Sequence, residues 1–171
     1  MSARLVLFFL LALGPFCPAT AAEKHAHVHG SGQLNVAIEG DTVSLELSAP
    51  ADDIVGFEHP ATSPEDKAAV TKAVALLRDG AALFIFPAAA GCRLEKARVE
   101  TGLLAEGKSG DGHADFDADY RFRCAQPAKV DGIDVRFFAH FPKAHKLAVQ
   151  AVTPKGQIKR GLTPKNARLK F

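Results

Sequence analysis

The sequence predicts an α+β fold: a mostly antiparallel β-sheet of six to eight strands with one main helix, joined by one disulfide. Three observations support this prediction. Most of the chain consists of short period-two runs separated by Pro and Gly turns. Only one segment has strong helical periodicity, whereas a parallel sheet would need repeated crossover helices. Removal of an N-terminal leader would leave two cysteines.

The first predicted elements form a β-hairpin. Apolar residues alternate with polar ones over residues 34–38 and again over 43–47, and Glu39-Gly40-Asp41 supplies the turn between them. Pro50 ends the hairpin. Residues 51–60 follow neither period and are predicted to be a crossing loop.

The main helix is predicted to begin after Ser63 and to end at Gly80. Ser63 can cap it, Pro64 suits the first helical position, and Asp66 approximates the acid of a capping box. One face of the helix is apolar and predicts burial; its members are Ala69, Val70, Ala73, Val74, Leu76 and Leu77.

Strands return after Pro87, where Cys92 and Leu94 share one side. A Gly-rich connection then leads into residues 113–124, where apolar and mostly charged side chains alternate strictly, so that one face packs inward and the other meets solvent. Further strands are predicted at residues 133–137, 147–152 and 167–171.

The first 21 residues are typical of a secretory signal peptide. Arg4 precedes an apolar run too short to span a membrane, and Ala19-Thr20-Ala21 offers small residues for cleavage. We therefore expect a signal peptide at 1–21 and a single domain at 22–171 that is exported to the periplasm without a membrane span. A formal charge of +2, from 21 basic and 19 acidic residues, predicts no polyanion-binding stripe and no nucleic acid partner.

Cleavage also removes Cys17 and leaves Cys92 and Cys124. In an oxidising compartment such a pair predicts a disulfide, with two buried free thiols as the alternative. Both cysteines fall on the predicted inward faces of their strands, so adjacent antiparallel strands could bring them within bonding distance.

Candidate metal ligands come from the histidines. His25, His27 and His29 occur at period two, so an extended backbone would project them from one face. Neutral imidazole is a good ligand for Zn²⁺, and a site needs three or four donors. The alternative is a solvated terminal tail that binds metal without biological purpose.

Two other segments could complete such a site. His59 lies in the crossing loop beside Glu58, and His113 opens the acidic strand with Asp115 on its own face. The alternatives are a loop histidine bonded to a backbone carbonyl for His59 and a solvated face for His113. His140 and His145 are weaker candidates because nearby lysines disfavour a cation.

Several short motifs, in order, resemble the ZrgA-type zinc-uptake proteins over essentially the whole chain after the leader. They are His-Val-His-Gly before the hairpin, Ile-Val-Gly-Phe-Glu-His after it, then Cys92, and finally His-Ala-Asp-Phe-Asp-Ala-Asp-Tyr-Arg-Phe-Arg-Cys. The resemblance implies a periplasmic Zn²⁺-binding protein that assists high-affinity zinc import through an ABC transporter.

The resemblance implies the same candidate ligands that the residues suggest: His27, His29, Glu58, His59, His113 and Asp115. The chain departs from the family in one respect, because members often carry a His/Asp-rich insertion where residues 101–112 here contain no histidine. A single site is therefore expected rather than an additional loop-borne one.

We predict that His29, His59 and His113 form the core of one tetrahedral zinc site, with His27 or an acid as the fourth donor. Copper(I) is a weaker candidate because soft sulfur ligands are lacking. Two other classes of function stay open: a zinc hydrolase that uses the same histidines with Glu58 as base, and a metal-free interaction module. No common catalytic fingerprint occurs, so a non-enzyme is expected.

Overall fold

The computed structural model describes residues 30–104 and 114–171, in which nine strands form two sheets. In chain order the strands are β1 Ser31–Glu39, β2 Thr42–Pro50, β3 Phe84–Ile85, β4 Cys92–Thr101, β5 Asp115–Cys124, β6 Gly132–Val135, β7 Lys146–Thr153, β8 Gly156–Leu162 and β9 Arg168–Lys170. The helices are α1 Ala51–Ile54, α2 Pro64–Arg78, α3 Gly80–Leu83 and α4 Phe137–His140. The predicted α+β class with one main helix is confirmed.

Six strands form the larger sheet in the order β4-β5-β2-β1-β7-β8. The predicted hairpin is confirmed as β1 and β2, paired from Gln33 opposite Ser48 to Glu39 opposite Thr42. Neighbouring strands in this sheet are antiparallel except for β1 and β7, which run parallel. This pairing joins the N-terminal hairpin to the C-terminal part of the chain, so both contribute to one core.

Helix α2 packs its apolar face against the hydrophobic core, as its sequence predicts. Ser63 caps it by accepting a hydrogen bond from the backbone N–H of Asp66 at 3.0 Å. Val70, Ala73 and Leu77 are its buried residues. The hydroxyl of Tyr120 on β5 donates to the Leu77 carbonyl at 2.8 Å, which ties the end of the helix to the large sheet.

The smaller sheet has the order β3-β6-β9 and lies over the same core. Phe84 on β3 meets the ring of Tyr120 edge to face at 5.0 Å, and the nearby Phe86 ring lies 4.8 Å from that of Phe122. These aromatic contacts bury the inner face of β5.

Strand β5 shows the predicted alternation, with buried residues from Phe116 to Cys124 at every second position. The predicted disulfide is also confirmed, because Cys92 on β4 and Cys124 on β5 are directly opposite and bonded. This disulfide, which we call the staple, therefore joins the first residue of β4 to the last residue of β5.

Some elements differ from the expectation. The start of the crossing loop forms α1, and the predicted strands do not include β3 and β8, so the described residues hold nine strands rather than six to eight. Strand β8 has few apolar residues, and its Lys159-Arg160 pair and two glycines interrupt any alternation. It pairs with β7 along its whole length, so backbone hydrogen bonds rather than a buried face define it.

Candidate metal centre

Three of the six candidate ligands fall on residues that the structure describes. These are Glu58, His59 and Asp115; the other three, His27, His29 and His113, lie outside the described residues, as does His25. Across 30–104 and 114–171 no group of three or more His, Cys, Asp or Glu side chains is arranged to hold a metal ion. The described residues do show where the segments that carry the candidates enter the fold.

The chain enters β1 at Gly30, which is held from two sides. Its N–H donates to the carboxylate of Asp53 on α1 at 2.8 Å. Its carbonyl accepts from the backbone N–H groups of His145 and Lys146, both at 2.9 Å. Gly30 has φ of +80°, a left-handed conformation that favours glycine. The residue that follows His29 is thus fixed between α1 and the start of β7.

The chain enters β5 beside the same helix. The carbonyl of Ala114 accepts a hydrogen bond from the N–H of Ala51, the first residue of α1, at 2.8 Å. Asp115 is opposite Pro50 at the end of β2. The residue that follows His113 in sequence is therefore bonded directly to α1.

Helix α1 is a single turn that brings two acidic side chains to this end of the large sheet. Asp53 is only 3% exposed, and its carboxylate holds Gly30. Asp52 is half-exposed and lies 3.6 Å from the ammonium of Lys143. A shallow cavity of about 380 Å³ opens here, lined by Gly30, Asp52, Asp53, Pro142, Lys143 and His145.

His59 lies in the loop after α1 with an exposed imidazole. Its ring stacks on that of Phe57, with centroids 4.6 Å apart and planes 15° from parallel. Its Nδ1 is 3.1 Å from the Pro60 carbonyl, which can only accept, so this hydrogen bond requires Nδ1–H. In the neutral form of such a ring the free lone pair is on Nε2. Metal-binding histidines commonly have this arrangement, in which the other ring nitrogen donates to a carbonyl.

Glu58 and Asp115 are both half-buried residues. Asp115 begins β5, and Glu58 immediately precedes His59. Partly buried carboxylates are suited either to bind a cation or to orient an imidazole that binds one.

Sequence reasoning missed two residues at this end of the sheet. Asp53 lies in the stretch 51–60 that the sequence predicts to be a crossing loop, and nothing in its sequence context separates it from its half-exposed neighbour Asp52. His145 is a weak candidate metal ligand on sequence grounds, because lysines lie near it. Its ring lies against Gly30, where a Cβ would be 3.1 Å from Cδ2 of the imidazole. Only the parallel pairing of β1 with β7 brings His145 to this place.

Comparison with known families gives one clear result. Residues 26–171 match the model of the ZrgA family zinc uptake protein. The chain belongs to the ZrgA family. The match spans all six candidate ligands and both bonded cysteines. No curated protein matches the chain.

Membership of the ZrgA family indicates a zinc-related uptake role, and this family is one of zinc uptake proteins rather than enzymes. Within the described residues, no helix is long and apolar enough to cross a membrane. The family match agrees with the resemblance that the sequence motifs indicate.

Proposed function

We propose that this chain is a periplasmic zinc-binding protein that assists zinc uptake, with its zinc site at the α1 end of the six-stranded sheet. The observation that carries the proposal is that Gly30 and Ala114 are both hydrogen-bonded to the single turn Ala51–Ile54. Each of these two residues follows a candidate ligand histidine in sequence, and the helix itself precedes Glu58 and His59.

Chain connectivity supports this location. Consecutive Cα atoms are separated by about 3.8 Å, so a histidine next to an anchored residue starts close to the anchor. Two of the three segments that carry candidate ligands are thereby tethered at one helix, and the third continues from it. We propose His29, His59 and His113 as the core donors, with His27, Glu58 or Asp115 completing or orienting the set.

The proposed cargo is Zn²⁺ because imidazole and carboxylate are its ordinary protein ligands. Histidine binds zinc only when its ring is neutral, so protons compete with the metal as the pH falls below about 6.5. A protein with this donor set holds zinc tightly at neutral pH and releases it on acidification.

Titration of zinc into the exported, tag-free protein by calorimetry tests the site. We expect one tight site whose affinity falls by about 100-fold or more in His59→Ala and in His113→Ala, since even loss of an orienting partner costs 10–100-fold. His140→Ala is the matched control and should keep wild-type affinity. Unchanged affinity in both His59→Ala and His113→Ala would place the zinc site elsewhere.

The finer parts of the proposal have their own measurements. The intact mass of the protein from a periplasmic extract should equal that of a chain that begins at Ala22, if the leader is cleaved as proposed. Growth on chelator-limited zinc should depend on His59, and this dependence should vanish in a strain that lacks its zinc ABC importer. A growth benefit that persists without the importer would contradict delivery through that route.

A further inference from the structure

The positive charge of this protein is concentrated at its C-terminal end. Residues 135–171 contain nine Lys or Arg and no Asp or Glu, which leaves 12 of the 21 basic side chains with all 19 acidic ones in the rest of the chain. The overall charge of +2 therefore combines a segment of +9 with a remainder of −7, so the small overall charge does not exclude a basic region, contrary to the expectation drawn from that charge. All nine basic side chains are exposed.

The centre of this basic region is the hairpin of β7 and β8. Lys155 lies in its turn, Lys159 and Arg160 lie on β8, and Lys146 at the start of β7 extends alongside Gly161. Lys159 is opposite Gln150 and Arg160 is opposite Val149. Because successive residues of a strand point to opposite faces, these two cations flank β8 on both sides of the sheet.

These four cations lack carboxylate partners, in contrast to other basic residues of the same segment. Lys143 lies near Asp52, and Arg168 makes ion pairs with Asp131 and Asp134. Within 30–104 and 114–171, no carboxylate makes a salt bridge with Lys146, Lys155, Lys159 or Arg160. Their charge is available to a partner.

Strand β8 is also the last strand of the six-stranded sheet. In an antiparallel pair each strand bonds its neighbour through every second residue, so the remaining backbone N–H and C=O groups of β8 point away from β7. No strand among the described residues pairs with that side. An extended segment could therefore add to β8 through main-chain hydrogen bonds.

We propose that β8 is a docking edge for an extended acidic segment of a partner protein, which adds as a further strand with its carboxylates against Lys159 and Arg160. Lysine on an edge strand also discourages unwanted pairing, but that role would not by itself require a long surrounding segment without acidic residues. Here the whole C-terminal segment excludes acidic residues. This charge rejects neutral or basic strands and accepts acidic ones, which gives the edge its specificity.

The arrangement of the cations favours a strand over a lipid surface. A membrane would meet the basic side chains best if they shared one flat face. Lys159 and Arg160 instead lie on opposite faces of the same edge. An added strand also has side chains on both faces, so acidic residues at adjacent positions can meet both cations.

A labelled peptide tests this proposal directly on the full exported chain. The capped peptide Thr-Glu-Val-Glu-Glu-Val-Glu-Thr carries carboxylates on both faces of an extended strand, and fluorescence anisotropy measures its binding at low ionic strength. We expect binding that weakens with salt and that falls at least about tenfold in Lys159→Glu/Arg160→Glu, since both attractions become repulsions. Lys67→Glu/Lys72→Glu, on the exposed side of α2, is the matched control and should bind as wild type.

Two further comparisons separate strand addition from simple charge attraction. Versions of the peptide with N-methyl groups at odd or at even positions keep their charge, yet one of them must lose the bonds that face β8 and should bind at least about tenfold more weakly. Equal binding of all peptides, equal binding by both double variants, or no binding at all would overturn the proposal. Tighter binding to phosphatidylglycerol vesicles through the same two residues would also overturn it in favour of a lipid surface.

This inference does not depend on the zinc site. The peptide measurement uses no metal, and His59→Ala should bind the peptide as wild type does. Failure of peptide binding would leave the zinc titration unaffected, and the reverse also holds.

Discussion

The two ends of the six-stranded sheet are built differently, although β1, β2 and β5 extend to both. At the end that holds the turn between β1 and β2, the chain is closed by the bond between Cys92 and Cys124 and by ion pairs of Arg123 with Asp41 and Glu95. We call this the staple end. The opposite end, which we call the motif end, holds α1 with Gly30 and Ala114 bonded to it.

The contrast suggests a division of roles. At the staple end the two cysteines are bonded to each other and Arg123 is paired with Asp41 and Glu95. Few of these groups are therefore left to bind a ligand. At the motif end Gly30 donates to the Asp53 carboxylate and the Ala114 carbonyl accepts from Ala51, so the chain is held mainly by hydrogen bonds to α1. An ion pair of Asp52 with Lys143 at 3.6 Å also lies there, and polar side chains such as His59 remain exposed. We infer that the staple end mainly stabilises the fold and that the motif end mainly positions the zinc site. Three changes test this division.

The largest expected effect on stability is loss of the staple. Cys92→Ala/Cys124→Ala opens a link across a sequence separation of 32 residues. We expect the free energy of unfolding to fall by about 3 kcal/mol in denaturant titrations, because the unfolded chain gains freedom. Zinc affinity of the folded variant should stay within about threefold of wild type, because the disulfide lies at the end of the sheet opposite the proposed site. A large loss of zinc affinity would contradict the proposed division of roles between the two ends of the sheet.

Removal of the Asp53 carboxylate should have a smaller effect on stability and a direct one on zinc. Asp53→Ala leaves the buried N–H of Gly30 without this acceptor, which we expect to cost about 1–3 kcal/mol in the same titrations. Zinc affinity should fall as well, because Gly30 follows His29 and its position depends on this bond. Asp53→Asn keeps an acceptor oxygen and is the matched control. Unchanged zinc affinity in Asp53→Ala would show that the Gly30 bond does not position the site.

The smallest expected effect is a pH dependence at the staple end. The hydrogen bond from Arg123 lowers the pKa of Asp41 below its ordinary value of 3.8. A carboxylate with a lowered pKa contributes stability that is complete above that ordinary value and is lost as the pH falls through the lowered one. The difference in melting temperature between wild type and Asp41→Asn should therefore be constant near neutral pH and shrink in acid. A difference that grows in acid would contradict this ion pair.

Much of the fold could be predicted from local sequence. Alternation over β1, β2 and β5 predicted which side chains are buried, because each of these strands has one face in the core and one in solvent. Ser63 and Pro64 predicted the start of α2 through ordinary capping chemistry. The disulfide could be predicted because both cysteines fall on inward faces of their strands and lie beyond the expected leader. Strand β8 could not be predicted from the sequence, since an edge strand with little buried surface needs no alternation of apolar and polar residues.

The sequence by itself determined the fold class and the disulfide and suggested the residue types of the proposed zinc site, because these depend on periodicity and on side-chain chemistry. Only the tertiary structure decided that α1 holds Gly30 and Ala114 together, and that His145 lies against Gly30. Those contacts join residues far apart in sequence, and they arise from strand order and from the parallel pairing of β1 with β7. No local pattern encodes strand order, since it is the burial of the whole core that selects it.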